Sequence, residues 1–268
     1  MKRVSLLMLF IFSVIVANAW HRKCDEAIVI VATKYLTPEA KTMVKRYLGK
    51  SYSDDVQYLY DTQREEVKQD KLPKGARTIH DLHLDENFKP KDLKYDSYKA
   101  TAEALEIIRN RKAHSKEEVT TALRVVINLM CDMHNISKIR IDGYPHSYKN
   151  FTFNTPRREW GRYSTMISTN KWRESWTKYD GGFYFFTVDY WVEDMEAFLE
   201  DNFEKYAKGT LLDWIADNGA KAAYYLDLCK PDALVPYMEF KKMGIVNYEM
   251  MIKASCRLST LLNEVASK

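Results

Sequence analysis

The stretch "SKEEVTTALRVVINLMCDMHNISK", residues 115–138, decides the fold. Ser115 and Glu118 stand at the spacing of a capping box, which predicts a helix that begins directly after Ser115. Asn128 and Asp132 are four residues apart on that helix, so their side chains leave the same face. The apolar residues recur at helical intervals, at Val119, Ala122, Leu123, Val126, Ile127 and Met130. The sequence therefore predicts a long amphipathic helix with two polar groups near its end.

Helical patterns on both sides of this stretch predict an all-α, single-domain protein built as a multi-helix bundle. Thr37 is a good N-cap before Pro38 at the first helical position, and Gly49 predicts the end of that helix. Ser97 is expected to cap a helix over residues 97–111. Further helices are predicted at 24–35, 191–207, 209–228 and 247–265.

Strand patterns are weak in this sequence. The stretch "GFYFFTV", residues 182–188, is the one exception that favours a strand. A long irregular connection is expected from about residue 139 to residue 170.

The first 19 residues have the pattern of a cleaved secretion signal. Lys2 and Arg3 form a basic start, residues 6–16 are apolar, and residues 17–19 (Ala-Asn-Ala) give the small-x-small pattern that signal peptidase accepts. The apolar stretch is short for a bilayer span, and no second long apolar run follows. We expect cleavage before Trp20, export to the periplasm or medium, and no membrane span in the mature domain, residues 20–268. A retained membrane anchor is the alternative.

Charge and aromatic content limit the classes of partner. The formal net charge is +4, and removal of Lys2 and Arg3 leaves +2 for the mature chain. A charge of +2 is too small for a protein that binds nucleic acid mainly by neutralising its phosphates. A local basic patch on the surface stays an alternative. The 18 tyrosines and six tryptophans suit base stacking, and they suit an ordinary apolar core equally.

Four cysteines, Cys24, Cys131, Cys229 and Cys256, occur in this exported chain. Disulfides form in oxidising compartments, and four cysteines leave three pairings open. None of the spacings is that of a Cys-x-x-Cys metal knuckle, so a structural zinc-thiolate site is not expected.

A few polar residues are candidates for chemistry. Asp61 follows the helical "DDVQYLY", and His80 and His83 lie in "ARTIHDLHLDENF". Taken singly, each has a structural explanation: Asp61 as a charge at a helix end, the histidines as polar loop residues, and Asp132 as a solvated or paired carboxylate. His134 follows Asp132 by two residues and points from a different face.

In order and spacing, however, these residues resemble the S-one/P-one family of zinc-dependent single-strand nucleases, whose fold is shared with zinc phospholipase C. Members begin, after signal cleavage, with Trp-Gly-x-x-Gly-His, and "WHRKCD" (20–25) occupies that frame. The family segments "VAxWAD" and "WHFVD" resemble "VQYLYD" (56–61) and "IHDLH" (79–83). The family helix "FLVHFIGDIHQPLH" is similar to "VVINLMCDMHNISK" (125–138), and "TNLHxVWD" is similar to "TNKWRESWT" (169–177), with one extra residue.

The resemblance implies zinc as the cofactor. One zinc ion would be bound by Asp61, His80, Asn128 and Asp132, with Asn128 in a histidine position. A second would be bound by Asp132, by Asp25 in another histidine position, and by the amine and carbonyl of Trp20. An α-amine with a pKa near 8 deprotonates readily beside a divalent cation. Asp61 and Asp132 are the implied catalytic carboxylates, and Asp132 would bridge the two ions.

The third zinc position of the family is changed. Its two histidines and aspartate correspond to Lys138, Arg173 and Thr177, and charged lysine and arginine cannot be metal ligands. The sequence thus predicts one or two zinc ions instead of three. Lys138 and Arg173 suit a phosphate oxygen, and the alternative is that both are solvated surface charges.

Two functions stay open at this point. The first is a weakened, zinc-dependent endonuclease that hydrolyses phosphodiester bonds in single-stranded DNA or RNA as a monomer. The second is an inactive relative that binds nucleotides or another phosphate-bearing or protein partner. The resemblance also implies that Cys24 and Cys131 lie close enough for a disulfide, since Asp25 and Asp132 directly follow them and would share one metal.

Overall fold

The structure is a computed structural model, and it describes residues 22–49, 79–94, 96–144, 151–156, 163–168, 187–228, 234–235 and 237–268. The described α-helices are α1 (Arg22–Lys34), α2 (Pro38–Leu48), α3 (Ser97–Arg109), α4 (Lys116–Met133), α5 (Val188–Leu199), α6 (Phe203–Ala207), α7 (Leu211–Leu228) and α8 (Tyr237–Ala266). The strands are β1 (Leu82–Leu84), β2 (Ile139–Ile141), β3 (Phe151–Pro156), β4 (Tyr163–Ser168) and β5 (Leu234–Val235). The predicted mainly helical architecture is confirmed.

Helix α4 lies at the centre of this architecture and begins where its sequence predicts. Ser115 Oγ accepts a hydrogen bond from the Glu118 backbone N–H at 3.2 Å, and the Glu118 carboxylate accepts one from the Ser115 N–H at 2.8 Å. All the apolar positions predicted for one face of the helix are buried. The helix packs against α1, α2, α3 and α8, so it fixes the positions of groups that arise from several parts of the chain.

Helix α2 also has its predicted ends. Thr37 Oγ1 accepts a hydrogen bond from the Ala40 N–H at 3.2 Å, and Gly49 ends the helix with a φ of +86°, a value that favours glycine. The Thr37 N–H in turn donates to Asn263 Oδ1 at 2.8 Å, which ties the start of α2 to the end of α8.

Three of the predicted helix boundaries are wrong. Asp96, and not Ser97, caps α3: its fully buried carboxylate accepts from the Tyr98 N–H at 2.8 Å. The helix predicted at 191–207 is divided into α5 and α6. Asn202 Nδ2 donates to the Phe198 carbonyl at 2.8 Å, so this side chain replaces the backbone N–H that would bond to the same carbonyl in a continuing helix. Helix α8 begins at Tyr237, ten residues before its predicted start at 247.

The connection expected to be irregular at 139–170 contains three strands. Strand β2 pairs in parallel with β1, while β3 pairs antiparallel with β4 and in parallel with β5. The strands are rich in β-branched and aromatic residues, which favour extended structure, but each is too short to give a clear alternating pattern. Within the "GFYFFTV" stretch, Thr187 caps α5 instead of ending a strand, and residues 182–186 lie outside the described residues.

In the described part of the chain, no helix combines the length and the apolar character that a membrane crossing requires. Residues 1–19, the predicted signal, lie outside the described residues.

Candidate functional site

A buried polar cluster lies at the C-terminal end of α4. It consists of His80, Asp132 and Lys138, whose exposed fractions are 9%, 7% and 8%. Asn128 is buried one turn earlier on the same helix, as its spacing predicts. Asp25, on α1, is half-buried and near enough to Cys131 to act on that thiol electrostatically. Five of the predicted site residues therefore belong to the region around one helix end.

The short parallel strand pair brings His80 and Lys138 to Asp132. Leu82 is paired with Ile139, so His80, two residues before Leu82, and Lys138, directly before Ile139, both enter the pair from the same end. The turn between α4 and β2 is fixed by Asn135, whose Oδ1 accepts from the N–H and the hydroxyl of Ser137 at 2.9 and 2.7 Å. This turn directs Lys138 back towards the helix that carries Asp132.

Both carboxylate oxygens of Asp132 are bound by neighbouring side chains. Lys138 Nζ donates to Oδ1, and His80 Nδ1 donates to Oδ2. An ionised carboxylate can only accept hydrogen bonds, so the proton of this contact belongs to Nδ1 of His80. The result is a compact cluster in which one anionic group is shared between an imidazole and an ammonium group.

The electrostatics of the cluster keep Asp132 ionised. Burial alone raises the pKa of a carboxyl group, but the positive charge of Lys138 and the contact with His80 outweigh it, and the pKa of Asp132 lies below its ordinary value. Burial and the nearby carboxylates of Asp25 and Asp132 raise the pKa of the Cys131 thiol. Burial and these charges therefore favour the protonated form of the Cys131 thiol.

A second ion pair, between Arg140 and Asp81, lies beside the cluster and links the segments that contain β1 and β2. Arg140, on β2, donates from Nη2 to Asp81 Oδ1 at 3.2 Å and from Nη1 to the Ser137 carbonyl at 2.7 Å. Sequence reasoning missed this pair, since nothing in either residue's neighbourhood along the chain points to the other. With its charge balanced by Asp81, Arg140 adds no net charge to the cluster.

A separate polar network holds the last turn of α4 from its other side. His134 Nδ1 donates to the Met130 carbonyl at 2.8 Å, and Arg257 Nη1 donates to His134 Nε2 at 3.1 Å. Asn218 Nδ2 donates to the Met133 carbonyl at 3.0 Å. The prediction that His134 points away from Asp132 is confirmed, and the role of Arg257 and Asn218 was not predicted.

Zinc, the cofactor that the resemblance implies, stays a prediction, since the implied ligands Trp20 and Asp61 lie outside the described residues. Zinc sites in proteins use about four nitrogen, oxygen or sulfur donors. Here both oxygens of Asp132 already accept from N–H groups, and one of these is an ammonium group, which has no lone pair and repels a divalent cation. In the ranges that the structure describes, no group of three or more His, Cys, Asp or Glu side chains could hold a metal ion.

Several predicted residues are not placed by the structure. Trp20, Asp61, Arg173 and Thr177 lie outside the described residues, so their roles stay predictions. The phosphate-binding role of Lys138 also stays a prediction, and in the structure its ammonium group contacts Asp132.

Two expectations are corrected. The structure has no Cys24–Cys131 disulfide, and Cys131 is a buried thiol; the expectation that the two cysteines lie close together stays a prediction. His83 is not a loop residue: it lies in β1, and its backbone N–H and its Nδ1 contact Asp96 Oδ2 at 2.8 and 3.0 Å. Asp96 thus both caps α3 and holds β1. Cys229 lies outside the described residues.

No protein-family model matches this chain, and a search of curated proteins finds no match either.

Proposed function

We propose that the protein is an exported, nuclease-like protein of the S-one/P-one type that binds single-stranded nucleic acid or nucleotides and no longer hydrolyses them. The order of five sequence motifs supports the family, and the gathering of His80, Asn128 and Asp132 at one helix end agrees with it. The observation that carries the proposal is the ion pair of Asp132 with Lys138.

The ion pair of Asp132 with Lys138 supports the loss of hydrolysis. In the family, zinc polarises the phosphate and supplies a water of lowered pKa, and carboxylate and imidazole ligands hold the metal. Asp132 would be the central ligand, but its charge is already balanced within the protein by Lys138. Five of the nine ligand positions of the family are also changed in this sequence.

Charge balance also supports binding of a phosphate-bearing ligand. An unpaired carboxylate at the site would repel a phosphate group, whereas the Lys138–Asp132 and Arg140–Asp81 pairs leave no excess of negative charge in the described cluster. Arg173, which occupies a ligand position of the family by resemblance, suits bidentate contact with phosphate oxygens.

Weakened zinc-dependent endonuclease activity is the second candidate. The direct contact of His80 with Asp132 favours it, since these are two residue types that bind zinc and the resemblance assigns both to one ion. Asp61 and Asn128 would complete that ligand set by resemblance.

Binding and cleavage assays together test the proposal. Fluorescein-labelled single-stranded DNA and RNA are titrated with the exported protein and followed by anisotropy, with the duplex of the same sequence as the control. The same strands are then incubated with zinc or with EDTA and separated on a gel. We expect preferential single-strand binding that EDTA does not change, weakening in Arg173→Ala, and no cleavage.

The other outcomes are equally informative. Cleavage that zinc promotes and EDTA abolishes would establish the endonuclease instead. Neither binding nor cleavage, with mononucleotides also failing to compete or bind, would overturn both candidates.

A further inference from the structure

We infer that the ammonium group of Lys138 is a built-in replacement for the metal ion at Asp132, so that this site is complete without a divalent cation. The inference rests on the proposed function in one respect: the family resemblance is what assigns a metal to Asp132. It goes further by naming the residue whose positive charge takes the place of a metal ion at Asp132.

The first argument is the position of the charge. The side chains of Lys138 and Asp132 are only 11% and 9% exposed, and Nζ contacts Oδ1 directly. A buried carboxylate is strongly disfavoured unless a positive charge or a metal ion accompanies it. His80 supplies a hydrogen bond to the other oxygen, whereas Lys138 supplies the fixed charge.

The second argument is the rigidity of the lysine. Lys138 ends the 3-10 helix Ile136–Lys138, which Asn135 caps, and the next residue is already paired in β2. Its backbone is therefore held on both sides, unlike that of a lysine in an exposed loop. A tethered group that is held near its partner has a high effective concentration, and a zinc ion from solution would have to displace it.

The third argument is the kind of substitution. By the resemblance, Lys138 stands at a histidine position of the third ion, and lysine there removes a nitrogen lone pair and adds a positive charge that contacts Asp132. One residue thereby removes a ligand and introduces repulsion against a cation. The reverse change, Lys138→His, would restore both conditions, since His80, Asp132 and the new imidazole would form a group of three metal-binding side chains.

Zinc titration of EDTA-treated protein tests the inference. Wild type, Lys138→His and the control Lys91→His are titrated with zinc chloride and followed by calorimetry. Lys91 is a suitable control because it also forms a lysine–carboxylate pair, with Asp142, but the pair is exposed and lies outside the cluster. We expect Lys138→His to bind zinc about 100-fold more tightly than wild type and Lys91→His do. A change of this size is typical when one group around a bound metal ion is gained or lost.

Thermal unfolding keeps the test decisive if Lys138→His does not fold. Lys138→Met removes the charge and adds only a weak thioether donor, and we expect its melting temperature to fall in EDTA and to recover in part with zinc. The inference is overturned if wild type binds zinc as tightly as Lys138→His, or if Lys138→Met is as stable as wild type in EDTA. Neither result depends on nucleic acid, so the inference and the proposed function can fail separately.

Discussion

Arg257 donates a hydrogen bond from Nη1 to Nε2 of His134, 3.1 Å away, although 123 residues separate the two in the chain. Because Nε2 accepts this bond and Nδ1 donates to the Met130 carbonyl, the imidazole is neutral and its tautomer is fixed. The contact ties α8 to the last turn of α4, two residues after Asp132. The end of the helix that presents the site is thus held by a network which needs a neutral histidine.

This network predicts a loss of stability in mild acid. Burial first, and then the positive charge of Arg257, lowers the pKa of His134 to about 3, with Lys253 acting in the same direction and Asp217 against it. Between pH 6.5 and 3 the unfolded chain binds a proton that the folded protein does not, so stability falls as pH falls, by about 1.4 kcal/mol per pH unit. In urea unfolding at pH 7 and pH 5, wild type should lose about 2 kcal/mol more than His134→Gln. Equal losses in the two proteins would contradict this assignment.

Removal of Asp132 should be far more destabilising than removal of a surface carboxylate. Asp132→Ala leaves the buried Lys138 ammonium without its partner, which typically costs about 3–5 kcal/mol. Asp142→Ala breaks the exposed pair with Lys91 and should cost about 1 kcal/mol or less. Urea unfolding compares the two variants with wild type.

A double variant distinguishes two costs in the free energy of unfolding: the loss of the ion pair, and the burial of an unpaired lysine charge. Asp132→Ala combined with Lys138→Met should be more stable than Asp132→Ala alone, because no unpaired buried charge is left. If Asp132→Ala lowers the free energy of unfolding no more than Asp142→Ala does, the buried ion pair contributes no more to stability than the exposed pair.

The capping box of α4 should have a measurable effect on stability. Ser115→Ala removes the acceptor of the Glu118 N–H bond and should cost about 1 kcal/mol. Ser267→Ala is the matched control, since that hydroxyl is exposed near the chain end and donates only to the Glu264 carbonyl. A melting temperature of Ser115→Ala equal to that of Ser267→Ala would be inconsistent with the capping box.

Replacement of Gly219 by alanine should lower the stability of the protein, although the same change in a helix usually raises it. Alanine in place of glycine normally stabilises a helix by about 1 kcal/mol. On α7, however, a Cβ at Gly219 would lie 2.6 Å from Leu84 Cδ1 and 3.1 Å from the Cβ of Phe88. We therefore expect Gly219→Ala to destabilise the protein by about 1–3 kcal/mol, since the fully buried Leu84 and the adjacent Phe88 must shift to make room. A variant more stable than wild type in urea unfolding would show that the two elements are not in such close contact.

Local signals made part of this fold predictable. The capping box and apolar periodicity of α4, and the Thr37 and Gly49 ends of α2, depend on residues within one or two turns, so the sequence contains all the information they need. The helix break at Asn202 and the N-cap at Asp96 were missed. Each side chain has several backbone groups within reach, and the packing of the folded protein determines which of them it bonds to.

The site was only partly predictable for a different reason. Its residues were found through the family resemblance, but the contacts among them join distant segments. The parallel pairing of Leu82 with Ile139 and the bond between Arg140 and Asp81 cannot be inferred from spacing along the chain. The disulfide expected at Cys131 was inferred from a metal that the resemblance implies, whereas the structure has a buried free thiol there.

Elemental analysis of the wild-type protein tests the central claim most directly. The exported protein is purified without chelators from zinc-supplemented medium, passed through gel filtration, and its zinc content per chain is measured by mass spectrometry. With Lys138 in the place of a metal ion at Asp132, zinc should be far below one ion per chain. One or two zinc ions per chain that remain bound through gel filtration would contradict the account.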